Sequence, residues 1–496
     1  MAETADRTGL RVTPGQYIGG AAEHGGGEPQ VVLDPATGTP CTEVRPSTVD
    51  DARRAVDAAA AAYPAWAART PGERARVLLR LADLIEADAD ELTAQEVAET
   101  GKPVPVFRDG ELPFAADNLR FFAGSARSLE GTGAGVLSEG YTSVLVRRPL
   151  GVVAGIAPWN FPLVMAIWKL GPALAAGNTI VLKPAPQTPS TTIRLAELAT
   201  RAGLPAGVLN VVTGDAEVGQ ALVTDPRVAM ASVTGSTGAG RAVMASAAPS
   251  TKRVHLELGG KAPAVVFADA DLAAAAQGIA MAATYNSGQD CTAATRVYVE
   301  EPVAESFTAM LAEQLERVRV GDPRDEATDI GPLVTVEHRD RVHGFVTRAV
   351  DAGAKVVTGG VVPERTGAYY PPTLVAGAAQ DAEIMQSEVF GPVLALGTFA
   401  SEDEAVLLAN DSAYGLASSV WTTDVARALR VTGRIEAGVT WVNDHLPIAS
   451  EAPHGGVKGS GFGKDMSHEA VLEYTVTQHV MIKHAVRESH DSFRPS

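Results

Sequence analysis

Residues 141–183 read "YTSVLVRRPLGVVAGIAPWNFPLVMAIWKLGPALAAGNTIVLK". Two β-branched runs within 141–158 are followed, past a long apolar stretch, by the strand-like "GNTIVLKPA" (177–185). The stretch 150–182 is the most apolar of the chain, but Pro158, Asn160, Pro162, Lys169 and Pro172 interrupt it. A membrane span needs about 20 uninterrupted apolar residues. Short apolar runs ending in Gly, Pro or Asp continue with "GVLNVVTG" (207–214), "VAMASVTGS" (228–236) and "KAPAVVFADAD" (261–271), and the helical "TTIRLAELATRAG" (191–203) lies among them. Strands alternating with helices predict parallel βαβ units. The alternation returns at 296–300, 355–360, 393–399, 418–422 and 439–443. The fold class is therefore α/β, with two layers of comparable size.

Outside this frame the chain reads differently. "DDARRAVDAAAAAYPAWAA" (50–68) and "PGERARVLLRLADLIEADADELTAQEVAETGK" (71–102) have helical spacing, and Pro71 after Thr70 marks a helix start. "GKPVPVFRDGELPF" (101–114) reads as irregular, before a helical "AADNLRFFAGSARSLEG" (115–131). The tail "LEYTVTQHVMIKHA" (472–485) ends in an alternating strand without an obvious local partner. Such an edge often docks on another subunit.

Composition narrows the function. With 496 residues the chain exceeds one ordinary core, and 41 basic against 59 acidic residues give a net charge of −18. Nucleic acid and anionic membranes, which require basic patches, are not expected partners. The two cysteines, Cys41 and Cys291, form no CxxC pair, and the N-terminal residues lack an apolar signal core. A cytoplasmic location is the expectation.

Several chemical motifs fail. "TGSTG" (234–238) lacks the first Gly of a serine-hydrolase elbow, and His255-x-Glu257 lacks the paired cysteines of a zinc deaminase. No metal site is expected. "TGSTGAG" follows a strand and opens a helix, so its amides can hold a phosphate. In "HLELGGKAP" Glu257 is either a structurally paired acid or a base raised by a dry site. Cys291, in "YNSGQDCTAAT" (285–295), is by itself either an inert core thiol or a nucleophile.

Taken together the motifs are specific. "APWNFP" (157–162), "LKPAPQTP" (182–189), "ELGGKAP" (257–263), "GQDC" (288–291) and "EVFGPV" (388–393) stand in one order. In these the chain resembles the NAD(P)-dependent aldehyde dehydrogenase superfamily over nearly its whole length. The resemblance implies Cys291 as nucleophile, Asn160 as oxyanion donor and Glu257 as the base that activates water. It implies NAD as cofactor, with NADP possible, held by Ala157, Trp159, Lys183, Gly214, Gly235, Ser236, Leu258, Glu388 and Phe390. Pro186 stands where NAD-preferring members often carry Glu. His468, with Glu469 beside it, falls where members often place a proton-relay Glu; neither is assigned a role.

The closest likeness within the superfamily is to γ-aminobutyraldehyde (1-pyrroline, aminoaldehyde) dehydrogenases, through "YNSGQDCTAATRVYV", "SEAPHGGVKGSGFGKDMS" and "YTVTQHVMIKH". It implies oxidation of 4-aminobutanal to 4-aminobutanoate. Asp109 and Glu111 would hold the ammonium and Trp168 and Trp441 would supply aromatic walls, or else the acids form a solvated loop and the tryptophans are core. Betaine aldehyde or another aliphatic or aromatic aldehyde is the alternative substrate; a thiol esterase or a non-catalytic member is the alternative of another class. The implied fold has two Rossmann-like α/β domains and a small β oligomerisation element. Residues 1–126 and 147–257 would bind NAD, 258–446 would be catalytic, and 447–473 would return to the cofactor domain. Residues 127–146 and 474–496 would build a homo-oligomer, dimer or tetramer.

Overall fold

The computed structural model describes residues 10–129, 131 and 133–484. The expected residues 1–9 of the cofactor domain and 485–496 of the oligomerisation element, with 130 and 132, lie outside the described residues.

The two runs of the opening stretch part company. Tyr141–Pro149 joins a three-stranded sheet, and Val152–Ile156 enters the middle of an eight-stranded one. The turn between them separates an exposed ribbon from a buried strand. In the large sheet Val152–Ile156 lies between Val228–Thr234 and Thr179–Lys183, all parallel, with Leu209–Val212 and Arg253–Glu257 continuing the parallel core on either side. The apolar stretch after it forms the helix Pro162–Ala176, buried at every position. That is why it carries so many apolar residues without spanning a membrane. Among the described residues no helix is long and apolar enough to cross one.

A second, seven-stranded sheet places Ala262–Val266 between Ala294–Glu300 and Ala417–Trp421, with Val393–Phe399, Thr373–Ala376 and Val439–Val442 beyond; only Lys355–Thr358 is antiparallel. Each sheet packs helices on a core of its own. Parallel strands carried by crossover helices leave crevices at their carboxyl ends, the usual place for ligands.

Helices form where expected at the front: Val49–Ala67 is closed by a Thr48/Asp51 capping box and Pro71–Ala87 by Thr70/Glu73. The long second run breaks at Asp88 into a further helix, Ala89–Thr100. The segment expected to be irregular is helical. Val106–Glu111 makes a π-helical turn that runs into the helix Leu112–Arg127. A widened turn of this kind often accompanies function. The tail strand does have a partner in the chain: Thr475–Lys483 pairs antiparallel with Tyr141–Pro149 along nine residues. Its other edge has no strand beside it among the described residues, and Val476, Val480, Met481 and Ile482 along it are exposed.

Candidate active site

After the helix Leu272–Thr284 the chain passes through three consecutive left-handed residues, Asn286 (φ 49°), Ser287 (φ 58°) and Gly288 (φ 70°). The conformation is costly for the first two. It is held by hydrogen bonds from Asn286 Nδ2 to the Asn160 carbonyl (2.9 Å) and from Ser287 Oγ to the Gly331 carbonyl (2.9 Å). Gln289 Oε1 accepts from the Val334 amide at 2.9 Å. At Gly288 a Cβ would stand 2.3 Å from the carbonyl carbon of Gly391, so no side chain fits. This clamped turn delivers Cys291 to the meeting point of two cavities.

One cavity, about 370 Å³, is lined by Trp159, Asn160, Gly235, Ser236, Leu258, Glu388 and Phe390. The other, about 360 Å³, is walled by Phe114, Phe161, Trp168, Tyr285, Leu446 and Ile448, with Glu111, Asp290 and His454 as its polar members. Cys291 and Met165 belong to both. Burial pushes the Cys291 thiol well above its ordinary value, as do the facing carboxylates of Asp290, Glu388 and Glu257; its own backbone N–H pulls the other way. The thiol is thus held protonated. Asn160 is buried, and its Nδ2 donates to the Gln289 carbonyl at 3.0 Å, next to the cysteine turn.

Glu257 ends the strand Arg253–Glu257. Both its carboxylate oxygens are buried without a hydrogen-bond partner. Burial raises its pKa well above the carboxylate range, against the pull of the His454 ring, whose Nδ1 is 3.6 Å from Oε2. Behind it runs a buried polar row. Lys169 Nζ bonds Asp465 at 2.7 Å, and His255 Nε2 is 3.8 Å from Asp465 and 4.0 Å from Glu257. His255 Nδ1 meets Ser232 Oγ at 2.8 Å, and burial pushes the ring down to about 4, so it is neutral.

The first cavity suits a dinucleotide. Gly235 and Ser236 line the cavity, and Ser236 caps the helix Thr237–Ala247, so the positive helix end lies at the cavity, as an anionic pyrophosphate requires; the Gly235 amide itself donates to the Glu257 carbonyl at 3.0 Å. Lys183 ends the strand Thr179–Lys183; burial lowers its pKa to about 8, with Asp215 opposing. Glu388 accepts from the Gly260 amide at 2.8 Å, and burial pushes it up to about 7. Phe390 is held at φ 60°, its carbonyl accepting from His338 Nε2 at 2.7 Å, while Trp159 meets its ring edge-on at 5.3 Å. The Ala157 amide donates to the Lys183 carbonyl and the Leu258 amide to the Ser460 carbonyl, both at 3.0 Å. Ala157, Lys183 and Gly214 lie outside the cavity wall; Lys183 Nζ donates to the Pro184 carbonyl at 3.3 Å, and Gly214, at φ 123°, lies in the turn before the helix Ala216–Thr224.

The four residues expected at the substrate separate. Trp168 lines the apolar cavity and so does Glu111. Asp109 is exposed and bonded to Arg108, which also holds Glu326, so it forms a solvated ion cluster rather than a tunnel wall. Trp441 is not on the cavity wall; its Nε1 donates to the Pro447 carbonyl and its ring packs on His445, so it supports the loop that carries Leu446 and Ile448. Glu111 is buried against Lys102, which also faces Glu96 at 3.7 Å and donates to the Asn160 carbonyl at 3.0 Å. An acid already paired with an ammonium has little charge left for a second one.

In the sequence alone His454 and Asp465 carry no role, Lys169 is set down only as a break in the apolar stretch, and His255 is raised only in a zinc motif that fails. The signal was a lone lysine in the apolar "IWKLGPALAA", since a buried ammonium needs a partner. The buried acid near the C-terminus is Asp465, whereas His468 is half-buried and Glu469 exposed.

The model of the aldehyde dehydrogenase family matches residues 22–480. The phenylacetaldehyde dehydrogenase of Pseudomonas fluorescens is 43% identical over 488 residues, 96% of this chain and 97% of that protein. Among solved structures, the NAD-dependent aldehyde dehydrogenase from Sinorhizobium meliloti superposes with TM-score 0.95 at 38% identity, covering 99% of both chains. PnpE in complex with nicotinamide adenine dinucleotide superposes with TM-score 0.93 at 39% identity, covering 95% of this chain and 98% of that one. By the reach of these matches the chain belongs to the aldehyde dehydrogenase family, whose oxidation of aldehydes with NAD(P) it shares.

Proposed function

We propose that the chain oxidises an uncharged, apolar aldehyde of arylalkyl size to its carboxylate, through a thioester on Cys291, with NAD as the preferred cofactor. The carrying observation is the position of Cys291, where a cavity walled by Phe114, Phe161, Trp168 and Tyr285 opens onto the cleft that suits the dinucleotide. The similarity to a phenylacetaldehyde dehydrogenase supports the same substrate class.

Cys291 Sγ gives its proton to water and bonds the aldehyde carbon, while the carbonyl π pair moves to oxygen. The Asn160 amide and the Cys291 N–H are the donors for that oxyanion. NAD held in the adjoining cleft would supply the hydride acceptor that takes the Cys291 adduct to a thioester. Glu257, kept basic by burial, takes a proton from water as the water oxygen bonds the acyl carbon; the C–S bond breaks and the thiolate leaves. The aromatic walls exclude bulk water and hold the acyl chain. Lys183, Glu388 and the amides near Gly235 and Ser236 hold the ribose hydroxyls and phosphates.

A second reading, oxidation of 4-aminobutanal, draws on Glu111 and Asp290 at the cavity wall. Burying a phenyl ring contributes about 1.5–3 kcal/mol. On the first reading kcat/KM for phenylacetaldehyde should exceed that for 4-aminobutanal at least about tenfold. The reverse order would favour the second reading, and no NADH from any aldehyde would sink both.

We propose that residues 1–126 and 147–257 form the cofactor domain, that 258–446 form the catalytic domain with the cysteine turn, and that 447–473 return to the cofactor domain. A dimer or tetramer is proposed through the exposed edge Thr475–Lys483, to be checked by light scattering.

A further inference from the structure

The cavity wall holds an imidazole that the reaction steps above leave unused. His454 lines the apolar cavity together with Cys291, yet its Nδ1 turns away from that cavity toward the Glu257 carboxylate. Both partners are buried, and neither Nδ1 nor either carboxylate oxygen has a hydrogen bond. At 3.6 Å the pair is just beyond hydrogen-bond length. Catalytic contacts are often long in a free enzyme and close when the site is filled.

The surroundings leave the carboxylate few other anchors. Its second oxygen is 4.0 Å from His255 Nε2. The chain after His454 passes close to the same oxygen: at Gly455, φ 154°, a Cβ would stand 2.4 Å from Glu257 Oε1, so no side chain fits there. The position of His454 is fixed three ways. Its amide donates to the Asp465 carbonyl and its carbonyl accepts from the Asp465 amide, both at 2.8 Å, and its ring rests on Trp168 with centroids 5.0 Å apart. Asp465 is itself tied to Lys169. A rigid imidazole thus bridges the wall that touches the acyl chain and the carboxylate behind it.

We infer that His454 is a positioning residue for deacylation: its Nδ1–H orients Glu257 toward the water that hydrolyses the Cys291 thioester. The inference rests on Glu257 as the base. His454 touches Glu257 directly and reaches the reacting carbon through it. The step balances without further reactants: water supplies the oxygen, Glu257 takes the proton, and the thiolate leaves. A donor to the carboxylate favours its ionised form, so losing the donor moves Glu257 further up. The other groups facing it are unchanged by the substitution: His255 on its own strand, Lys169 on the helix Pro162–Ala176, and Asp465 and Lys464 on the segment that follows.

The test pairs His454→Phe, which keeps an aromatic ring without the donor, with His454→Asn, which keeps an N–H near the Nδ1 position. Each is followed by the pre-steady-state NADH burst, by kcat against pH, and by intact mass of the acylated enzyme. In His454→Phe the burst should remain near one NADH per site, kcat should fall at least about tenfold, the acyl-enzyme should accumulate, and the acid limb of kcat should move to higher pH. His454→Asn should recover most of the turnover. Unchanged kcat and acid limb in His454→Phe would overturn the inference, as would a burst that falls in step with kcat or an Asn variant no faster than the Phe one. Should His454→Phe not fold, His454→Met carries the same outcomes. Glu257→Gln is run in parallel: if it turns over freely, the base assignment itself fails, whatever His454 does.

Discussion

Asn160 and Gln289 are joined by a hydrogen bond of 3.0 Å from the Asn160 side-chain amide to the Gln289 carbonyl, two residues before Cys291. The oxyanion donor and the cysteine turn are therefore one unit. Asn286 returns the link by donating to the Asn160 carbonyl. Replacing Asn160 by Ala removes a donor to the oxyanion and a brace of the turn together. Loss of one preorganised donor costs about 10²–10³ in kcat. Steady-state kinetics of Asn160→Ala should show that fall while NAD binding, read by fluorescence quenching, stays within about threefold. A loss below about tenfold would remove Asn160 from the oxyanion site.

The thiol of Cys291 is raised by burial and by three acids, so its nucleophilic form grows with pH. For an acidic group raised in this way the ionised fraction is small at neutrality and increases up to the shifted value. Inactivation of the free enzyme by iodoacetamide should accelerate steadily from neutral pH through the ordinary thiol range without levelling there. Cys291→Ala should abolish both this inactivation and aldehyde oxidation while still binding NAD. A plateau at or below the ordinary thiol value would show that the site lowers the pKa instead.

What could be read in the sequence was the part written in local patterns. The βαβ alternation, the capped helices at Thr48 and Thr70, and the five ordered motifs all depend on residues close together in the chain. The substrate wall was less legible. Asp109 and Glu111 are two residues apart, but a π-helical turn sends one to solvent beside Arg108 and buries the other on Lys102. That outcome depends on a turn type no residue there announces. The Glu257 row is still more remote: His255, Lys169, His454 and Asp465 come from four segments, up to 296 positions apart, and only packing brings them together.

Pro186, exposed three residues after Lys183, adds no charge at the end of that strand. A carboxylate placed there would accept from ribose hydroxyls and repel a 2′-phosphate. Pro186→Glu should raise KM for NADP at least about tenfold and leave that for NAD unchanged or lower, since like charges at close range cost more than about 1 kcal/mol. Equal effects on both cofactors would place the adenine ribose elsewhere.

Lys102 is fully buried between Glu96 and Glu111, donates to the Asn160 carbonyl and lies 4.5 Å from the Phe161 ring centre. Removing one member of a buried charge cluster destabilises by about 3–5 kcal/mol, because the remaining charge has no partner. Lys102→Met should lower stability by that amount in denaturant titrations near pH 8. The direction with pH follows from the carboxyls. Burial already holds Glu111 up at about 8 and raises Glu96, against the pull of Lys102. Without the ammonium both rise further, so the folded protein binds more protons than the unfolded chain above the ordinary Glu value. Stability then falls as pH increases and recovers as pH decreases toward that value. The parent begins to lose the Glu111 proton only near its value of about 8, so the deficit of Lys102→Met against the parent should shrink from pH 9.5 to pH 7. A deficit that is constant or grows on acidification would mean that Lys102 supports the fold through packing on Phe161 rather than through its charge.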